Sequence, residues 1–165
     1  QTEPVMVTPL LLVATLLGTP DGGSVDPHSH AAGVDRRGDE AMGFSHQTTV
    51  HHFILTGDGG VVSAEALDPP DTATRDSIRG HFAHIAHAFS TGDFHLPMFI
   101  HDRMPPGADT MKQLGTKISY RAEDTPRGAR VVIKTGNAEA LAAVHDFLRF
   151  QIADHRTGDS PEVQR

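Results

Sequence analysis

The sequence predicts an α+β domain in which two β-hairpin–helix units form a four-stranded antiparallel sheet with two helices on one face. Three observations carry this. The stretches "TTVHHFILTGDGGVVSAEAL" and "KISYRAEDTPRGARVVIKTG" each place a turn between two strand-like runs. Each is followed by a segment whose apolar residues recur at helical spacing. The two helical segments also echo each other: "IRGHFAHIAHAFSTGD" aligns without gaps on "VHDFLRFQIADHRTGD", which suggests an internal repeat.

In chain order, residues 9–18, "PLLLVATLLG", form an apolar run of signal-peptide length, too short to cross a membrane. Residues 1–22 are therefore read as the remnant of an export signal, although Glu3 stands where a basic segment is usual; the alternative is a buried terminal strand or helix. Residues 23–45, rich in Gly, Asp and small side chains, read as a flexible leader, 46–159 as the domain and 160–165 as a tail. The first helix is expected after "DPP", with Asp71 or Thr72 as its N-cap and Gly92 at its end. Its core stripe is Ile78, Phe82, Ile85 and Phe89. Residues 94–116 read as a long loop with a short helix around Met111, and long loops inside a compact domain are often functional. The last helix has Asn137 as N-cap and buries Leu141, Val144, Phe147, Leu148 and Ile152.

Composition narrows the chemistry. The formal charge is −7 with histidines neutral, and no basic run is present, which argues against a nucleic-acid partner. There are twelve histidines and no cysteine. The absence of thiols excludes disulfides, thiolate zinc sites, iron–sulfur clusters and covalent c-type haem. A metal site would have to use imidazole, carboxylate or thioether, a set that suits copper, zinc, iron or nickel.

The candidate ligands are His46, His51, His52, His81, His84 and His101, with Met42 and Met98 as soft partners. Strand alternation places His46, Val50, His52 and Ile54 on one face and His51, Phe53 and Leu55 on the other, so only one of His51 and His52 can serve a given site. On the first helix His81 and His84 flank the core stripe at i and i+3 and could share an ion, whereas His87 points away. In the loop, Asp102 could orient the imidazole of His101. Gln151 and His155 lie on the buried stripe of the last helix, where each needs a partner; for His155 a hydrogen bond to a carbonyl near the helix end is the expectation, rather than ligation.

The motifs "RGDEAMGFSHQTTVHHF", "IRGHFAHIAHAFSTGDF", "MFIHD" and "HDFLRFQIADHRTGD" resemble a family of small exported bacterial histidine-rich proteins, most of them uncharacterised, over roughly residues 35–159. Some relatives carry an aspartate carbamoyltransferase label. The residues disagree with it, because such enzymes are much longer and use a Ser-Thr-Arg-Thr phosphate loop that is absent here.

The functional expectation is an exported, periplasmic or secreted, metal-binding protein, most plausibly for copper, in a binding, transfer or redox role. The alternatives are a zinc or iron enzyme, with Asp102, Asp76 or Glu65 as base, a protein binding haem non-covalently through a His/His or His/Met pair, and a metal-free domain whose histidines sense pH. The expected partner is a metal ion, with no membrane span in the mature chain and with room for a homo-oligomer.

Overall fold

A computed structural model describes residues 27–164. The expected export segment, residues 1–22, lies outside them. The described chain runs α1 (Pro27–Met42), β1 (Thr49–Thr56), β2 (Gly59–Ala66), α2 (Thr72–Ser90), α3 (His95–His101), α4 (Ala108–Gln113), a 3-10 turn (Gly115–Lys117), β3 (Ile118–Thr125), β4 (Gly128–Thr135) and α5 (Ala138–His155). The fold is α+β, with the four strands in one antiparallel sheet of order β1-β2-β4-β3. The ββα order occurs twice, and the two hairpins join through their second strands.

Each helix packs mainly on the hairpin of the other unit: α2 lies over β3 and β4, and α5 over β1 and β2. This exchange makes neither ββα unit self-sufficient, because each hairpin's apolar face is covered by a helix from the other half. The register sets the core face, with Phe53 opposite Val62, Val62 opposite Val131, and Leu55 opposite Gly60. Gly60 leaves the space that Leu148 of α5 fills. The caps form as their side chains dictate: Asp71 accepts from Thr74 N at 2.9 Å and Asn137 from Ala140 N at 2.9 Å.

Two stretches differ from the sequence reading. Residues 27–42 of the expected leader form a helix, with Ala31 and Val34 buried. Few apolar residues lie in "PHSHAAGVDRRGDEAM", and the helix is tied down largely by polar contacts: Arg37 donates to Ile100 O at 2.8 Å, Arg156 to Asp35 at 3.2 Å, and His30 pairs with Asp154 at 3.0 Å. The long loop contains α3 as well as the short helix around Met111; α3 is held by Phe94, Pro97 and Ile100, which are buried.

The tail closes the edge of β1. Asp159 accepts from Phe53 N at 2.9 Å, and Gln164 N donates to Leu55 O at 2.8 Å. Those contacts occupy backbone groups that an edge strand otherwise offers to another chain. His145 fastens α5 to the first hairpin turn through its Nε2, which lies 2.9 Å from Thr56 O.

Gly107 offers a sharp test of this packing. Its φ is +80°, and a Cβ there would overlap the Ala143 carbonyl of α5. Gly107→Ala should lower the unfolding midpoint, since the left-handed backbone alone costs roughly 1–2 kcal/mol for a residue with a Cβ. Gly80→Ala, on open helix surface, should be neutral or stabilising. Thermal melts of the two variants check both expectations.

A candidate imidazole-lined cavity

A cavity of about 80 Å³ lies between the sheet, α2, α3 and α5. One end is apolar, formed by residues such as Phe82, Ile85, Leu96 and Val131; the other carries His51, His81, His101, His155 and Gln151, with Met42 at its margin. Each side chain arrives from a different part of the fold. His51 belongs to the core face of β1, two residues before Phe53, and stands opposite Ala64, with Ala129 beyond it on β4. These small neighbours leave room for the ring. His81 comes from the flank of the α2 stripe, His155 from the last turn of α5, and His101 from the last turn of α3.

The rings contact one another and the surrounding phenylalanines. His51 stacks between Phe44, with centroids 5.9 Å apart, and His155, at 6.4 Å. His155 stacks on Phe53 at 5.6 Å and meets His101 edge-on at 4.9 Å. His81 meets Phe44 edge-on at 5.7 Å. Burial and this crowding set the protonation. Desolvation, followed by the proximity of His52, lowers the pKa of His51 to about 4. Desolvation, then His51 and His84, lowers His81 to about 4; desolvation, then His101 and His51, lowers His155 to about 3. All three rings are therefore uncharged at neutral pH, and each neutral ring carries one nitrogen lone pair. The Nε2 of His51 is buried and meets no hydrogen-bond partner.

His101 differs in having both nitrogens engaged. It is buried, and its Nδ1 lies 2.5 Å from Asp154 Oδ2 while its Nε2 lies 2.9 Å from the Gln151 side-chain amide. Burial lowers the pKa of His101, and its hydrogen bonds oppose that only in part. Burial also acts to raise Asp154, but hydrogen bonds from His101 and His30 outweigh it and hold the carboxyl below its ordinary range. A neutral His101 thus donates Nδ1–H to the Asp154 carboxylate and needs a donor at Nε2. Gln151 supplies one when its amide nitrogen faces the ring, and the Gln151 oxygen then takes the position of the buried amide atom that has no partner.

The structure brings together part of the set expected from sequence. His51, His81, His101 and Met42 line the cavity. His52 faces the other side of the sheet, where its Nδ1 pairs with Asp159 at 2.9 Å, as strand alternation requires. His84 is exposed on α2 and does not share the cavity with His81, because the i+3 step carries it past the edge of the buried stripe. Met98 lines a separate depression beside His95 and Lys112. His46 stands outside the cavity, its Nδ1 2.9 Å from Asp39. For His101 the orienting carboxylate is Asp154 rather than Asp102, which is the exposed left-handed cap of α3. Asp76 pairs with Arg75 on the surface and Glu65 with Arg127, so neither adjoins the imidazoles.

His155 and Gln151 belong to the site although the sequence reading put neither among the ligands. The signal was present in their placement on a buried stripe. The contacts of the His155 ring are the faces and edges of His51, Phe53 and His101, rather than a backbone carbonyl. Among the described residues, no three His, Cys, Asp or Glu side chains stand as they are in an arrangement that holds a metal ion.

The depressed histidines fix a pH dependence of stability. Each folded-state pKa lies below the unfolded value of about 6.5, so the unfolded chain binds more protons between the two. Stability is then full above pH ~6.5 and falls as the pH drops toward 4. Urea titrations from pH 7.5 to 4 should show this loss, and His155→Phe should make the profile shallower. An unchanged slope in that variant would contradict a buried neutral His155. Comparison with protein-family models, with curated proteins and with solved structures finds no match to this chain.

Proposed function

We propose that this protein is an exported transition-metal-binding protein, with copper as the favoured metal, and that His51, His81 and His155 form the ligand set. The observation that carries the reading is the convergence of three uncharged imidazoles from three elements on one cavity, with the Nε2 of His51 buried and unpartnered. A buried polar atom without a partner costs about 1–3 kcal/mol, and a ligand that accepts its lone pair removes that cost. Met42 adds a thioether at the margin of the same cavity. Imidazole with thioether and no thiolate suits copper in either oxidation state.

Ligation requires the rings to turn. A nitrogen about 2 Å from a metal puts its ring centre about 3 Å away, so two ligating rings have centres at most about 6 Å apart. The His51–His155 separation of 6.4 Å is close to that limit. For this pair, rotation about the side-chain bonds is what ligation needs. The volume of about 80 Å³ favours an ion with a small co-ligand over a haem macrocycle. The apolar half of the cavity supports a second reading, catalysis on a small apolar molecule beside a bound metal. The export part of the reading rests on residues 9–18. Among the described residues no helix is long and apolar enough to cross a membrane.

The test is copper retention after desalting. The wild type should hold close to one equivalent, and His51→Ala, His81→Ala or His155→Ala should weaken binding by at least about tenfold, the scale already seen for changes just outside a ligand shell. His84→Ala and Met98→Ala should bind as the wild type does. No retention of copper, zinc or iron by folded wild-type protein would overturn the proposal.

A further inference from the structure

Outside the cavity, on the far side of His51 and His155, lies an open groove of about 460 Å³. Its wall includes His46, Asp35, Arg156, His51 and His155. The last two also line the inner cavity, so this stacked pair is a partition with ligating side chains that face two compartments. We infer that the groove is the access route to the cavity and that His46, held by Asp39, is the first imidazole a divalent copper ion meets. This rests on the metal-binding reading and adds to it a path and a residue outside the final ligand set.

The geometry of His46 supports the role. Its backbone N–H donates to Asp39 Oδ1 at 2.7 Å, and its Nδ1 lies 2.9 Å from the same oxygen and 3.0 Å from Oδ2. Asp39 is itself fixed near the end of α1 and also accepts from Ser45. A neutral imidazole that donates Nδ1–H to a carboxylate has its lone pair on Nε2, the arrangement that orients a metal ligand. His46 is 40% exposed, so solvent reaches it without any opening of the core. Asp35 and Arg156 pair at 3.2 Å in the groove wall and cancel in formal charge, so the negative charge beside His46 is that of Asp39.

The other walls of the cavity explain why the route runs here. Where the cavity otherwise approaches solvent it does so past the half-exposed hydrocarbon of Ile85 and Leu96, and a cation that sheds its water against hydrocarbon has nothing to replace it. At the partition, each water lost can be exchanged for an imidazole nitrogen: first that of His46, then those of His51 and His155 once their rings turn, and finally that of His81. His46 is thus a kinetic way-station, and it stabilises the path equally for entering and leaving ions.

Rapid mixing of the full chain with Cu²⁺, followed by imidazole-to-copper absorption, tests this, with release measured by transfer to a chelator. In His46→Ala, binding and release should both slow several-fold, with stoichiometry and Kd unchanged. Asp39→Asn should give part of that effect, and His87→Ala, exposed on α2, none. Equal rates in wild type and His46→Ala would overturn the route. A weakened Kd in His46→Ala with an unchanged association rate would also overturn it, by making His46 a final ligand. If the wild type binds no copper at all, the metal reading fails first and the route falls with it; slow binding in every variant alike would sink only the route.

Discussion

Four imidazole rings share one end of the core, and a charge on any of the three stacked near Phe44 and Phe53 is opposed both by burial and by its neighbours. Much of the surrounding structure follows from keeping them neutral. The small residues Ala64 and Ala129 beside His51 make space for a ring under the helices. Phe44 and His155 stack on its two faces, and Phe53 stacks on His155 in turn. The exception is His101, whose two nitrogens are engaged by Asp154 and Gln151, so the same core contains one imidazole with its polar atoms satisfied and others with lone pairs to spare. That contrast separates a structural histidine from a ligand-competent one more clearly than burial does.

Asp154 links this cluster to the outside. It takes hydrogen bonds from His101 at the cavity, from His30 of α1 and, at 3.4 Å, from Arg103. Asp154 therefore ties α1 to the cavity wall, and α1 also supplies Met42 at the cavity margin and Asp39 behind His46. The C-terminal tail does comparable work on the opposite side, where Asp159 fixes both the backbone of Phe53 and the ring of His52.

The fold was largely legible in the sequence because its signals are local. Period-two alternation, two short turns and the N-caps Asp71 and Asn137 specify both hairpins and both long helices, and alternation alone separates His51 from His52. The site was legible only in part. His84 sits one helical step from His81 and still misses the cavity, because where the boundary of a buried stripe falls depends on which hairpin α2 covers, and α2 covers that of the other unit. His46 reaches only the outer groove side of His51 and His155, and Met98 lines a separate depression, so neither lines the cavity. α1 escaped notice because polar contacts to residues far along the chain, such as Arg37 to Ile100 and Asp35 to Arg156, stabilise it, and these leave no periodic trace. His155 and Gln151 carried the right signal, a polar residue on an apolar stripe, but its meaning depended on partners that only the assembled core provides.

The metal-binding proposal depends on the neutrality of His51, His81 and His155, the three rings on the cavity with depressed pKa values. Nitrogen NMR of protein labelled at the histidine ring nitrogens measures it directly, since protonated and unprotonated nitrogens resonate far apart. At pH 6, where an ordinary histidine is more than half protonated, these three should each show one protonated and one unprotonated nitrogen. Addition of Cu⁺, which is diamagnetic, should then shift the unprotonated resonances of all three and leave the Nδ1 of His101 in place. Cationic rings at pH 6, or neutral rings whose resonances ignore the metal, would contradict the account.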